Sequence, residues 1–389
     1  MDLNFSAADN EFREQVRSWL AENKPTERRP RALSEMREFD LAWQRLQYDA
    51  GWAGIGWPSA FGGRDLPLTQ QLIWYEEYAR TGLPPIDSRF VGISHAGPTL
   101  IARGNDEQRS AHLEKILRGD VIWCQGFSEP EAGSDLASLR TRGIVDGEHL
   151  IVSGQKIWTS FAPVADYQEL LIRTNPDVPK HKGITWVICD MHLPGIDVRP
   201  IRTLDNGHEF AEVFYDEVRI PLSSVVGDID NGWSVAMSTL SFERGTAFTI
   251  SQVQLSSNVE RLIELAASHR SVNGRPMIED DSIIHRLARA RADVAALRAL
   301  TYLNISRNVR SPQPGPEGSM LKVEDARLLQ EVCRLAIDIL GPRALELVEE
   351  EAETYWVERQ LLAYSSSIGG GTSEIQKNII AERVLGLPR

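Results

Sequence analysis

The chain has 389 residues, of which 42% are hydrophobic and 25% are charged, a composition typical of a globular protein with two or three packed units. Its formal net charge of −13 excludes a protein built to neutralise nucleic-acid phosphates, because that role requires a basic surface. We expect no nucleic-acid partner, and any anionic ligand must be bound by local basic residues.

The three cysteines, Cys124, Cys189 and Cys333, lie far apart in the sequence. Their odd number and wide spacing fit neither a disulfide framework nor a zinc site, so we expect no metal and a reducing compartment. The first residues lack the apolar core of a secretory signal, and no apolar stretch reaches the length of a membrane span. We therefore expect a cytoplasmic protein without membrane insertion.

The first third of the chain has a helical pattern. Ser6 and Asp9 have the spacing of a capping box, and they precede apolar residues at helical intervals. A second helical run surrounds Trp43, and further helices are predicted over 70–80 and 106–117.

From about Val121 the pattern changes to short apolar or alternating runs. Asp146-Gly147 marks a hairpin turn, and Pro221 closes the β region. The runs predict strands over 121–127, 139–145, 149–153, 183–190 and 211–220.

Beyond Gly232 the helical period returns in about four long segments, interrupted at 273–276 and 311–318, which predicts a helical bundle. The fold class is therefore α+β with segregated domains. We predict an N-terminal helical domain over 1–120, a central β domain over 121–230 and a C-terminal helical bundle over 231–389. The strand–helix alternation of a doubly wound sheet, with its glycine-rich dinucleotide turn, is missing from the sequence.

Two polar segments of the β region are candidates for a functional site. Ser128–Asp135 (S-E-P-E-A-G-S-D) follows an apolar strand, and its composition also fits an ordinary polar loop. Residues 154–160 (G-Q-K-I-W-T-S) place Trp158 at a strand end beside two hydroxyls, where a planar ligand could bind. A buried core tryptophan is the alternative reading.

A third candidate lies near the carboxyl end. Gly369–Ser373 (G-G-G-T-S) precedes a helix that is predicted to start near Glu374. Backbone amides at such a helix start can bind phosphate oxygens. A flexible glycine hinge is the alternative.

In their order and spacing, these segments resemble the acyl-CoA dehydrogenase family. The strongest stretches are F-S-E-P-E-A-G-S-D, G-Q-K-I-W-T-S and G-G-G-T-S-E-I-Q-K-N-I-I-A-E-R-V-L-G-L-P, and the resemblance covers essentially the whole chain. It implies the acyl-CoA dehydrogenase fold, with a helical N-terminal domain, a central β-barrel-like domain and a C-terminal four-helix bundle. It also implies FAD, an acyl-CoA substrate, electron-transfer flavoprotein or a similar electron acceptor, and a homotetramer built as a dimer of dimers, with a mixed tetramer as the alternative.

The resemblance assigns the flavin ring to the β region. Ser128, Trp158 and Ser160 match positions around that ring, and Phe127 and Thr159 belong to the same pocket.

Further matches concern the rest of FAD and the substrate. Arg270 matches an arginine that reaches FAD phosphates across a dimer interface, a task suited to a planar guanidinium, although a solvated helix-end cation is the alternative. Ser134 matches a position that binds CoA. The remaining matches are Gly370, Gly371, Thr372 and Glu374 near the adenosine and pyrophosphate, and Arg244 and Gly369 beside the substrate.

The sequence departs from the common family pattern at the catalytic base. Many members carry that base as the glutamate of a Tyr-Glu-Gly-Thr run, and here the run is Gly369-Gly370-Gly371-Thr372. One branch, which includes isovaleryl- and long-chain-type enzymes, carries its glutamate on a bundle helix, directly before an arginine. The run F-E-R-G at 242–245 has that arrangement, so Glu243 is the candidate catalytic base. A structural Glu-Arg pair is its alternative.

The two glycines at 369 and 370 also predict extra volume near the reacting carbons, and hence tolerance of branched or bulky acyl groups. Two other functions are also compatible with the sequence. One is a non-catalytic or partner-dependent subunit of a mixed tetramer, and the other is a flavin oxidase or monooxygenase on the same scaffold.

Overall fold

The computed structural model describes residues 5–242, 248–308, 315–345 and 352–388. Its helices are α1 (Ala7–Asn23), α2 (Leu33–Asp49), α3 (Leu68–Arg80), α4 (Asp87–Phe90), α5 (Gly97–Arg103), α6 (Asp106–Arg118), α7 (Gly232–Phe242), α8 (Phe248–Ser268), α9 (Asp281–Asn308), α10 (Gly318–Leu340), α11 (Ala352–Ala363) and α12 (Ser373–Ile379). Its strands are β1 (Trp123–Gly126), β2 (Arg142–Asp146), β3 (His149–Ser160), β4 (Tyr167–Arg173), β5 (Ile184–Asp190), β6 (Ile196–Ile201) and β7 (Phe210–Pro221).

The chain divides into two compact units, and each is built from separate segments. The helical unit comprises Met1–Lys24, Pro67–Leu83 and Arg244–Arg389, and the sheet unit comprises Pro25–Leu66 and Pro84–Glu243. The predicted α+β class is confirmed. The predicted boundaries at 120/121 and 230/231 stay a prediction.

In the helical unit, α10 packs against α8, α9 and α11, while α3 packs against both α1 and α8. The predicted capping box is present at the start of α1: the Ser6 hydroxyl accepts a hydrogen bond from Asp9 N at 3.1 Å, and the Asp9 carboxylate accepts one from Ser6 N at 3.0 Å. Such a box satisfies amide groups that the first helical turn leaves unpaired. The apolar positions Phe12, Val16 and Leu20 of α1 are buried, as the helical spacing predicts.

A buried carboxylate joins three helices of this unit. Glu76 of α3 accepts hydrogen bonds from Arg13 of α1, at 3.0 Å, and from Arg298 and Tyr302 of α9. Burial by itself would raise the pKa of this carboxyl, but the Tyr302 hydroxyl and the two guanidinium groups hold the pKa below its ordinary value. Glu76 therefore stays charged, and α1 and α3 are tied to the C-terminal helices.

The sheet unit contains one mixed, curled sheet. Its strand order is β1-β4-β2-β3-β7-β6, with β5 paired to the other side of β4. Strand β4 is parallel to β1 and β2, and the other pairs are antiparallel. The predicted hairpin at Asp146-Gly147 joins β2 to β3, with Gly147 at φ +58°.

Alternating side chains of the sheet pack into two apolar cores. One core contains Cys124, Leu150, Val152 and Val213, which come from β1, β3 and β7. The other core contains Trp123, Phe127 and Trp186, together with apolar residues of α5, α6 and α7. Strand β1 contributes to both cores because successive side chains point to opposite faces.

The strand predictions are correct in place and incomplete in number. Strands β4 and β6 were missed: β4 carries Gln168 and Glu169 in succession, both buried, and β6 contains Pro200 and exposed side chains. Strand β4 lacks the alternation of a half-buried strand, and in β6 the alternation covers only four residues before Pro200. The strand predicted over 149–153 is also too short, because it continues to Ser160 through a bulge at Gly154.

The three cysteines are free and buried, in agreement with the absence of a disulfide framework in the sequence. Burial raises the pKa of Cys124 and Cys189, and raises that of Cys333 to about 11, so all three are neutral core thiols. Within the described ranges, the helices lack a segment long and apolar enough to cross a bilayer.

We predict an acid-sensitive contribution to stability from His112 of α6. Its ring lies edge-on to Trp123 and Tyr167, with centroids 5.3 and 4.9 Å away, and burial lowers the pKa of His112 from 6.5 to about 4. Between these two values the unfolded chain binds more protons, so stability falls as the pH decreases. Urea unfolding of His112→Phe at pH 7 and pH 4.5 should show a loss on acidification that is about 1–2 kcal/mol smaller than in the wild type, allowing for partial exposure.

His208→Gln, which alters an exposed loop imidazole, is the matched control and should behave as the wild type. Equal acid sensitivity of His112→Phe and the wild type would contradict the assignment.

Candidate active site

The end of β3 presents an aromatic side chain in an unusual backbone conformation. Trp158 has φ +60°, and 58% of its surface is exposed, so the alternative of a buried core tryptophan is wrong. A bulge creates this conformation: Lys156 pairs with Val213 and Thr159 with Ala211, which leaves one extra residue on β3. A large residue in the left-handed region costs free energy, and such outliers concentrate at functional sites.

The loop after β1 is attached directly to this part of β3. The carbonyl of Ser128 accepts a hydrogen bond from Ile157 N at 3.0 Å. One residue later, Glu129 and Ala132 exchange two backbone hydrogen bonds, of 3.1 and 3.0 Å, which close a tight turn. Ser128 is therefore fixed next to the residue that precedes Trp158.

A buried ion pair reinforces this attachment. Lys156, with no exposed surface, donates to Glu129 Oε1 at 2.7 Å and to the carbonyl of Phe127 at 3.1 Å. The Glu129 carboxylate also accepts the backbone amides of Arg140, at 2.6 Å, and Thr141, at 2.8 Å. The ion pair therefore connects the loop after β1, the approach to β2, and β3.

Burial has opposite effects on the two members of this pair. It lowers the pKa of Lys156 to about 8, against the opposing effect of Glu129. It would raise the pKa of Glu129, but the Lys156 ammonium and the neighbouring donors hold that pKa below its ordinary value. Near neutral pH both groups are charged, and each compensates the desolvation of the other.

Gly154 allows the two segments to approach each other. It has φ +152°, and a Cβ atom there would lie 2.7 Å from Thr141 Cα and 2.8 Å from Thr141 Oγ1. No other residue fits without displacing the backbone that Glu129 binds.

The structure thus brings together four of the predicted flavin-pocket residues. Phe127 is buried, Ser128 and Ser160 are half-buried, and Trp158 is exposed. Thr159 is fully buried, so this predicted pocket residue has no surface that a ligand could contact directly. Its hydroxyl has no hydrogen-bond partner among the described residues.

Ser134, the predicted CoA contact, is exposed in the same loop. Its neighbour Asp135 accepts hydrogen bonds from the Lys180 ammonium, at 2.8 Å, and from the Ser138 hydroxyl, at 2.6 Å. These contacts lower the pKa of Asp135, with the Lys180 hydrogen bond as the largest cause. The loop end is held by surface contacts and remains open to solvent.

In the helical unit, the glycine run forms a turn before α12, as predicted. Gly370 and Gly371 have φ values of +64° and +83°, a region that favours glycine. Thr372 caps the helix by accepting a hydrogen bond from Ile375 N at 3.3 Å. Helix α12 begins at Ser373, so Glu374 lies in its first turn.

Gly369 differs from the two glycines that follow it. A Cβ atom there would have one close neighbour, the Ser365 carbonyl oxygen at 3.7 Å, which is an ordinary contact distance. A side chain would therefore fit at 369, whereas Gly370 needs a conformation in which a glutamate would be strained.

Arg270 lies in the loop between α8 and α9. It is exposed, donates to the Gly274 carbonyl at 2.8 Å, and lines a groove of about 430 Å³ with Arg343 and His269. Its assignment to FAD phosphates stays a prediction. Glu243 and Arg244 lie outside the described residues, so their assignment also stays a prediction.

Models of three acyl-CoA dehydrogenase domains match the chain in succession: the N-terminal domain over residues 6–120, the middle domain over 124–218 and the C-terminal domain over 230–385. Acyl-CoA dehydrogenase IpdE1 of Mycobacterium tuberculosis strain H37Rv is 37% identical over 97% of this chain and 98% of its own length.

The chain belongs to the acyl-CoA dehydrogenase family.

Other members of this family are similar over their full length. Acyl-CoA dehydrogenase FadE26 of the same organism is 31% identical, over 100% of this chain and 99% of its own. The solved structures of the Tcur3481-Tcur3483 steroid ACAD and of the ChsE4-ChsE5 complex from Mycobacterium tuberculosis have TM-scores of 0.86 and 0.85, each with 31% identity and full coverage of both chains.

As a member of this family, the chain is an oxidoreductase that acts on acyl-CoA thioesters with FAD as cofactor. The described residues suit the flavin ring chemically. An exposed indole supplies a flat apolar surface, and the half-buried hydroxyls of Ser128 and Ser160 supply hydrogen bonds for a polar ring edge.

The supporting residues Glu129, Lys156 and Gly154 were not predicted from the sequence. The sequence does contain a signal for the burial of Lys156, because strand alternation places it on the same face as Leu150 and Val152. A lysine in a buried register requires an acidic partner.

We predict that Trp158 serves ligand binding at a cost to stability. In Trp158→Gly the left-handed backbone is relieved and little buried surface is lost, so the apoprotein should be as stable as the wild type, or more stable by up to about 1 kcal/mol. FAD affinity should fall at least about tenfold because the stacking surface is lost. Urea unfolding of the apoprotein and fluorescence titration with FAD measure the two effects.

Phe161→Gly is the control, because Phe161 also has positive φ, +59°, but its ring is buried. This variant should lose about 3 kcal/mol of stability. A Trp158→Gly protein that is destabilised yet binds FAD normally would show that the indole is a packing residue.

Proposed function

We propose that the chain removes two hydrogens from Cα and Cβ of an acyl-CoA thioester, with Glu243 as the base that takes the Cα proton. The flavin, when bound, supplies the acceptor for the hydride that leaves Cβ. The observation that carries this proposal is Gly370, because it occupies the position at which many members have their glutamate and has a φ of +64°. That position therefore cannot supply the base, and F-E-R-G supplies the carboxylate found in another branch of the family.

The remaining pocket residues bind and orient the flavin ring. We assign Ser128 and Ser160 to hydrogen bonds at the ring edge, Trp158 to contact with the ring, and Phe127 to the apolar wall behind it. A thioester carbonyl polarised by fixed donors makes the Cα proton acidic enough for a carboxylate to remove. Exclusion of water by the acyl chain would raise the pKa of a carboxyl base towards neutral.

Arg270 with Gly371, Thr372 and Glu374 is assigned to the phosphate and adenosine portion of FAD, and Ser134 with Arg244 to the substrate. Electron-transfer flavoprotein or a similar carrier is the proposed acceptor. We propose a tetrameric assembly. A mixed tetramer of two unlike chains is favoured by two similar structures, ChsE4-ChsE5 and Tcur3481-Tcur3483, whose names each join two proteins.

The proposed substrate is a bulky acyl group, such as one derived from a steroid. Two observations support this class: the open space at Gly369, and the similarity over full length to a protein described as a steroid ACAD.

Replacement of the proposed base should abolish proton removal and spare the cofactor. In Glu243→Gln, the rate of anaerobic flavin bleaching by acyl-CoA should fall at least about 1000-fold, while the yellow colour remains. Glu264→Gln, which changes an exposed acid of α8, is the control and should bleach at the wild-type rate. Bleaching of Glu243→Gln within a few-fold of the wild type would refute the role of Glu243.

The same assay separates the competing functions. A colourless protein, or one that bleaches only after a second chain is added, indicates a partner-dependent subunit. Rapid reoxidation by oxygen indicates an oxidase or a monooxygenase.

The open position at 369 predicts the order of substrate preference. In a panel of CoA thioesters, a branched or polycyclic acyl group should bleach the flavin faster than octanoyl-CoA because it fills the free volume. Gly369→Leu should reverse the order by filling this volume. Faster turnover of octanoyl-CoA than of every bulky thioester by the wild type would contradict the assignment.

A further inference from the structure

We propose that Lys156 and Glu129 are a positioning pair for the flavin ring, which together fix Ser128 and Trp158 in one arrangement. Neither residue is assigned a contact with the ring. The inference rests on the proposed pocket, and it concerns the residues behind that pocket.

The contacts of Lys156 enclose Ser128 from both sides. Its ammonium group donates to the carbonyl of Phe127, the residue before Ser128, and to the carboxylate of Glu129, the residue after it. The next residue along β3, Ile157, donates its amide to the Ser128 carbonyl. Three consecutive residues of the loop are therefore tied to two consecutive residues of β3, directly before Trp158.

Glu129 extends the same connection to a third segment. Its two oxygens accept the amides of Arg140 and Thr141, while Gly154 allows Thr141 to approach β3 closely. The carboxylate thus receives two backbone amides from one segment and one side-chain donor from another. A neutral residue of similar size could not accept all of them.

Stability alone does not account for a pair of this kind. Two buried charges lose their hydration, and apolar residues of the same volume usually stabilise a core as well or better. The directional hydrogen bonds of the pair fix the distance between two backbone segments more precisely than an apolar contact would. A site that holds a ligand in one geometry needs such precision, since small displacements of its residues weaken binding and slow the reaction.

The bulge in β3 requires that the residues on both of its sides be held in place. Trp158 has an unfavourable backbone conformation that persists only if the residues on both sides are fixed. Thr159 and Ser160 are fixed on one side by pairing with Ala211 and Phe210 of β7. Lys156 fixes the other side.

The test uses the double variant Glu129→Gln/Lys156→Met. Each single replacement leaves one buried charge unpaired and is expected to destabilise the fold, whereas the double variant removes both charges together. For the double variant we expect an apoprotein with a urea midpoint close to that of the wild type. We also expect an FAD dissociation constant at least about tenfold higher and a changed visible flavin spectrum. For acyl-CoA, the fold-reduction of kcat should exceed the fold-change of KM.

A matched control lies in the same loop. Lys180 and Asp135 form an exposed pair, with side chains 50% and 58% exposed, at the other end of Ser128–Asp135. Lys180→Met/Asp135→Asn removes an ion pair of the same type outside the proposed pocket. FAD affinity and the flavin spectrum of this variant should equal those of the wild type.

Two results would overturn the proposal. Wild-type FAD affinity and spectrum in the folded double variant would show that the pair has no positioning role. Failure of the double variant to fold would show that the pair acts in stability. Both results differ from failure of the proposed function, in which the wild type binds no FAD, or binds FAD that acyl-CoA does not bleach.

Discussion

The ion pair between Lys156 and Glu129 is the interaction on which the candidate pocket depends. It lies in a region where charges are costly, and it organises three segments that are separate in sequence: the loop after β1, the approach to β2, and β3. Gly154 gives these segments room to meet, and the bulge after Lys156 turns an aromatic side chain outward. The apolar cores fix the position of the sheet, and this polar junction fixes the geometry at its end.

The family scaffold and the chemistry of this chain are separable. All three domain models of the acyl-CoA dehydrogenase family match, yet the glycine run has replaced the residue that many members use as the base. Gly370 has a φ of +64°, a conformation in which a glutamate would be strained, and Gly369 has room for a side chain, which supports the proposed preference for bulky acyl groups. The proposed relocation of the carboxylate and the proposed preference for bulky acyl groups therefore both start from the same glycine run.

Local patterns predicted local structure well. The capping box of α1, the hairpin at Asp146-Gly147 and the start of α12 after the glycine run each depend on a few adjacent residues, and all three are present. Strand β4 was missed because its buried polar residues have tertiary partners that no sequence pattern reveals; for example, Gln125 of β1 donates to Glu169 of β4 at 2.7 Å. Strand β6 was missed because it is short, contains Pro200 and has exposed side chains. Trp158 was placed correctly, but its exposure depends on a bulge set by pairing with β7. The contacts of Lys156 with Phe127 and Glu129 form only in the folded chain, so no local sequence pattern indicates them.

The segmental composition of the two units has a consequence for biosynthesis. Glu76 of α3 needs Arg298 and Tyr302 of α9, more than 200 residues later, so the amino-terminal helices α1 and α3 cannot complete their packing while the ribosome is still making the sheet unit. The sheet unit, whose segments end at Glu243, has all its strands earlier. The apolar faces of α1 and α3 that pack on later helices therefore stay uncovered until those helices have been synthesised. Chains in such a state are prone to aggregate and to bind chaperones.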